Sequence, residues 1–125
     1  MSTHSKIAVR VGDEFRVIYT HWDGYPDHHL PILQGHYNSQ ELAERLVEGG
    51  SISMLSETIE TCIYYERDRG ELSMEFALVP LEELDEFCDE DYVYIWTGSE
   101  WIWSSDTKKW WKDLKKTIVA DNPLA

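Results

Sequence analysis

A chain of 125 residues carrying a formal charge of −13, from 24 acidic against 11 basic side chains, is expected to form a single domain spanning residues 1–125. Its hydrophobic content of 42%, with six Trp and seven Tyr, excludes a wholly disordered chain. The charge argues against direct nucleic-acid binding, which needs Lys and Arg to displace counterions, and against an anionic membrane surface; it suits solubility or a basic protein partner.

Residues 6–11 (Lys-Ile-Ala-Val-Arg-Val) and 15–19 (Phe-Arg-Val-Ile-Tyr) alternate in polarity around Gly12-Asp13, which predicts a β-hairpin. A His/Asp-rich segment follows, read as loop, with a short helix over 31–37. Asn38 or Ser39 caps a clearer helix over 40–48, whose inner stripe is Leu42, Leu46 and Val47 and which Gly49-Gly50 stops. Residues 51–55 read as a connector that returns apolar residues to the core. Strands are predicted over 57–66 and 72–79, separated by Asp68-Arg69-Gly70 turn chemistry. Pro80 then opens a helical turn over 81–87. Residues 92–96 and 101–103 form a last hairpin about Gly98-Ser99. A helix capped by Ser105 or Asp106 runs to about 119, with Trp110, Trp111, Leu114 and Ile118 on one face and five Lys largely elsewhere. The whole predicts an α+β fold: one mostly antiparallel sheet built from hairpins, with two main helices packed on one face.

Cys62 and Cys88 are too few for a disulfide framework, and both are expected to be inert, Cys88 because acidic neighbours raise a thiol pKa. Residues 1–6 are polar rather than signal-like, and no run approaches the ~20 apolar residues of a membrane span. The expected setting is a reducing cytoplasm.

The segment Tyr19-Thr-His-Trp-Asp-Gly-Tyr-Pro-Asp-His-His-Leu-Pro holds three of the five His and is the densest in groups that bind or react. Its binding candidates are His21, Trp22, Asp23, Tyr25, Asp27 and His28, presented at a strand end. A metal reading takes His21, Asp23, Asp27 and His28: His21 and Asp23 share a face if extended, and His28 would return across Gly24-Tyr25-Pro26. No paired spacing such as His-Glu-x-x-His accompanies them, and no cofactor or catalytic residue is assigned. The structural alternative is a rigid corner, in which Asp23 accepts from backbone amides ahead of it while Trp22 and Tyr25 pin the loop to the core.

The second candidate surface is the acidic run Glu82, Glu83, Asp85, Glu86, Asp89, Glu90 and Asp91, preceded by Glu57, Glu60, Glu66, Asp68, Glu71 and Glu75. Spaced carboxylates can imitate a phosphate backbone; the plainer reading is a solvated acidic face. An EF-hand spacing is absent. The Lys-rich last helix reads first as a core-packing helix.

The run Tyr19-Thr-His-Trp-Asp-Gly-Tyr-Pro, with Ile32-Leu33, Tyr37, Leu46-Val47-Glu48-Gly49-Gly50-Ser51-Ile52-Ser53 and Tyr92-Val93-Tyr94-Ile95-Trp96 with Trp101, resembles small phage and prophage proteins without a settled activity. The resemblance covers most of the chain. It departs after Pro26, where Asp27-His28-His29-Leu30-Pro31 replaces a more Gly-rich stretch of that group. The resemblance implies a genetic context rather than a chemistry. With the acidity, it leads to an accessory protein that binds and inhibits a basic host protein, such as a nucleic-acid-binding defence protein, as a counter-defence inhibitor or nucleic-acid mimic. The rivals are a metal-dependent hydrolase or ligand-binding protein acting on a phosphate-containing small molecule through the His/Asp segment, and a structural module that forms a homodimer.

Overall fold

The computed structural model describes residues 3–71, 75–84 and 91–104. Among them lie seven strands, three α-helices and one 3-10 turn: β1 (Ser5–Val11), β2 (Glu14–Thr20), α1 (Pro26–His36), α2 (Gln40–Glu48), β3 (Ile52–Met54), β4 (Ile63–Tyr64), α3 (Tyr65–Arg69), β5 (Ala77–Pro80), the 3-10 turn Leu81–Glu83, β6 (Tyr92–Trp96) and β7 (Trp101–Ser104). The fold is α+β around one mixed, mostly antiparallel sheet, with α1 and α2 as its main helices. No helix of the described residues is long and apolar enough to cross a membrane.

The strand order is β4-β3-β2-β1-β6-β7, with β5 added to β2. The hairpin β1–β2 is antiparallel in unbroken register from Ser5↔Thr20 to Val11↔Glu14. A positive φ at Gly12 (66°) allows two residues to reverse the chain. The other side of β1 takes β6 in parallel, and β6 pairs β7 as the predicted hairpin. β2 pairs β5 near its start and β3, in parallel, at Thr20.

Alternation along the strands divides the core. Ile7, Val9, Ile18, Tyr94 and Trp96 face α1 and α2, where Leu33, Ala43, Leu46 and Val47 close over them. Ala8, Phe15, Val17, Val93 and Ile95 face the other way, against Val79 and Leu84. Polar ends of the buried aromatics are met: Trp96 Nε1 donates to Gln40 Oε1 (2.7 Å) and Trp101 Nε1 to the Tyr37 carbonyl (2.9 Å). Gln40 also donates to the Arg10 carbonyl (2.7 Å), so one side chain links α2, β1 and β6.

α2 matches its prediction, with Leu42 N–H donating to Ser39 Oγ (3.2 Å). The left-handed residue behind it is Gly50 (φ 87°). Gly49 is needed for space, because a Cβ there would lie 2.8 Å from the Tyr64 ring.

Four local expectations change. The first helix begins at Pro26, not Pro31. Two prolines compete for the first helical position, and Pro26 wins because that frame buries His29 and Leu33, one turn apart, and lets the Tyr25 carbonyl accept from His28 and His29 N–H. Residues 52–54, read as a connector, are strand β3. The strand over 57–66 is only Ile63–Tyr64. Thr58 and Thr61 close a turn ahead of it, with hydroxyls 2.7 Å apart and Thr61 and Cys62 N–H donating to the Thr58 carbonyl. Behind it, Asp68 Oδ2 accepts from Tyr64 N–H (2.8 Å) and starts α3. Among the described residues, the two stretches expected to form a hairpin, 57–66 and 72–79, do not pair with each other: β4 pairs β3 and β5 pairs β2. Residues 72–74, the end of the 81–87 turn, Cys88 and the predicted last helix lie outside the described residues.

Candidate functional site

β2, an interior strand, delivers the His/Asp segment at its C-terminal end beside β3, where His21 and Trp22 N–H donate to the Ile52 and Ser53 carbonyls (3.1 and 3.0 Å). Asp23 then takes a left-handed φ of 55°, a conformation Asp tolerates, and turns the chain toward α1. Gly24 N–H donates to the Thr3 carbonyl (2.8 Å), and Tyr94 Oη donates to the Gly24 carbonyl (2.6 Å). A Cβ at Gly24 would lie 2.7 Å from Thr3 O and 2.9 Å from Ser5 Cβ, so only Gly fits this approach. The corner is tied down, but not by the means expected. Asp23 accepts no amide within the described residues; Trp22 (43% exposed) and Tyr25 (40%) face solvent; backbone bonds and Tyr94 hold it.

The ring system of the corner is mutually engaged. Tyr19 Oη lies 2.7 Å from His21 Nδ1, His21 stacks on His4 (centroids 4.6 Å apart, planes 27°), and Trp22 meets His21 edge-on at 4.7 Å. His4 N–H donates to Asp91 Oδ2 (3.3 Å), so one residue of the predicted acidic run belongs to the His corner instead. In the first turn of α1, His28 Nδ1 and His29 Nδ1 are 3.0 Å apart, so one ring donates and the other accepts, while Asp27 faces solvent. The His29 ring is fully buried against Tyr94 (5.2 Å). Burial first, then the His28 charge, pulls its pKa down to about 3 and keeps it neutral. Among the described residues no three His, Cys, Asp or Glu side chains gather to hold a metal ion. His21, Asp23, Asp27 and His28 are therefore near in sequence without converging.

Of the acidic run, Glu82 and Glu83 are exposed on the 3-10 turn; Asp85, Glu86, Asp89 and Glu90 lie outside the described residues. Cys62 is buried, and desolvation raises its thiol pKa, which removes it as a nucleophile.

Two features escape a reading of the sequence. One is a set of buried hydrogen-bonding atoms without a partner among the described residues, including Ser5 Oγ, Thr20 Oγ1 and His29 Nε2. Ser5 and Thr20 are cross-strand partners, and their alternation with Ile7 and Ile18 puts them on the α1 side. The other is a groove of about 680 Å³ at the C-terminal end of α2, lined among the described residues by Glu48, Gly49, Gly50, Glu66, Arg67, Glu75, Phe76 and Leu78. Its guanidinium is committed: Arg67 pairs with Asp68 (2.8 Å), donates to the Ile59 and Cys62 carbonyls (3.0 and 2.7 Å) and covers the Tyr64 ring at 4.7 Å. Its three carboxylates make no ion pair within the described residues. The i, i+3, i+7 spacing of Glu41, Glu44 and Glu48, opposite the apolar stripe of α2, was the available sequence signal for this side.

No protein-family model, curated protein or solved structure matches this chain.

Proposed function

We propose that the protein is an acidic, phage-type accessory protein that binds a basic host protein and inhibits it by occlusion. One observation carries this reading. Of all Asp and Glu side chains among the described residues none is buried, and only Asp23 and Glu44 are even partly covered, on a chain of net charge −13. Ion pairs within those residues include Asp68, Glu71 and, when His36 is protonated, Glu57. The rest present negative potential to solvent, which steers and accelerates encounter with a Lys/Arg-lined surface. Target grooves that ordinarily hold nucleic acid have that character, and the resemblance to small phage proteins supplies a host and a reason to inhibit. Exposed aromatics such as Trp22 and Tyr25 add apolar anchors of the kind that concentrate binding energy.

The test is capture from bacterial lysate by the immobilised protein at low and high salt. Basic nucleic-acid-binding proteins are retained at low salt, released as salt rises, and displaced by added DNA. Retention indifferent to both salt and DNA would refute the reading.

A further inference from the structure

We infer that the groove at the C-terminal end of α2 is the docking surface, and that it receives an Arg- or Lys-bearing segment of the partner with apolar residues beside the cation. This rests on the proposed function and names the surface it uses.

Three features converge on a cationic, amphipathic occupant. Glu48, Glu66 and Glu75 line the groove; its one lining guanidinium, Arg67, is already engaged by Asp68, two carbonyls and Tyr64, and a second, Arg16, is stacked on the lining Phe76. The C-terminal end of α2 opens there through Glu48, Gly49 and Gly50, and a helix C-terminus carries partial negative charge independent of any side chain. The third is apolar: Leu78 is 58% exposed on β5, and Phe76 lies next to it in the lining. One face of Phe76 is taken by Arg16, whose Cζ sits 5.1 Å from the ring centroid, so this ring already holds a guanidinium. A Lys or Arg stem from the partner would lie along Leu78 and Phe76 while its head reaches the carboxylates, as long basic side chains do at mixed surfaces. A neutral apolar ligand would leave the carboxylates unanswered, and an anion would meet repulsion from all three. Glu48 also borders the concavity along Arg16, Gln40, Glu41, Glu44, Arg45 and Glu48, so the acidic surface continues along α2 beyond the groove.

The experiment uses the full chain and a fluorescent peptide of alternating Arg and Leu, with its Glu-and-Leu counterpart as control. Two variants of equal net charge are compared: Glu48→Gln/Glu66→Gln/Glu75→Gln in the groove, and Glu82→Gln/Glu83→Gln/Glu86→Gln in the acidic run. A third, Leu78→Asn, removes the apolar contact alone. Thermal melts confirm that all remain folded. The groove triple variant is expected to weaken peptide binding about tenfold more than the matched triple variant. Leu78→Asn weakens it severalfold, and amide shifts on titration centre on Gly49, Gly50, Phe76 and Leu78. Equal losses in the two triple variants, or a larger loss at 82/83/86, would overturn the groove as docking surface while leaving a charge-driven binder standing. No binding of the Arg/Leu peptide at low salt would overturn both.

Discussion

The His-rich corner and the α2 groove differ in how their polar groups are used. At the corner the polar groups are already engaged: Tyr19 Oη with His21 Nδ1, the His28 ring with the His29 ring, the His4 backbone N–H with Asp91, and Tyr94 Oη with the Gly24 carbonyl. At the groove three carboxylates border an exposed Leu and answer to nothing within the described residues. A dense motif therefore marks a place where a fold is fixed, whereas a sparse set of unspent charges marks a place that can bind. Changes to the bonded groups of the corner should cost stability, and changes at the groove should cost affinity.

The largest expected effect is Gly24→Ala. Its Cβ would meet a backbone oxygen and a strand Cβ, neither of which can swing away, so we expect a loss of about 2–3 kcal/mol by urea unfolding. A loss below about 0.5 kcal/mol would show that the corner is not rigid. Next is Tyr94→Phe, which leaves the buried Gly24 carbonyl without its donor; about 1–3 kcal/mol should be lost, more than for Tyr19→Phe at the half-buried surface.

The third prediction concerns pH. His29 titrates near 3 in the fold and near 6.5 when unfolded, so between those values the unfolded chain binds the extra proton. Its contribution is complete above the unfolded value and is lost as pH falls toward 3. Between pH 6.5 and 5, above most carboxylate titration, the wild type should lose roughly 1–2 kcal/mol more than a His29→Gln variant. Parallel pH curves for the two would refute a neutral buried His29. The smallest effect belongs to the groove. Glu48→Gln should change stability by less than about 0.5 kcal/mol, and in the stabilising direction, because a carboxylate at a helix C-terminus opposes the dipole. A clear destabilisation would mean that Glu48 holds the fold and the contrast between the two regions fails.

Much of the fold was legible because it is written in local patterns. The β1–β2 and β6–β7 hairpins follow from alternation around Gly12 and Gly98, and α2 from its Ser39 cap and apolar stripe. The start of α1 was not legible, because Pro26 and Pro31 are equally good first-turn residues until Leu33 and His29 find the core. The 57–66 stretch misled because Ile59, Ile63, Tyr64 and Tyr65 are good strand formers, while the Thr58–Thr61 hydroxyls and Asp68 carboxylate that break it act through hydrogen bonds no propensity records. For the site, the sequence located the corner and an acidic surplus, but it could not separate engaged from unengaged groups.

The sequence by itself determined a folded, strongly acidic α+β chain, since hydrophobic period and net charge are sums over neighbours along the chain. Tertiary structure alone decided that β6 lies parallel to β1, that Asp91 joins the His corner, and that Glu48, Glu66 and Glu75 face one groove. Those are relations between residues far apart in the chain, set by which faces bury together, and no local pattern encodes them.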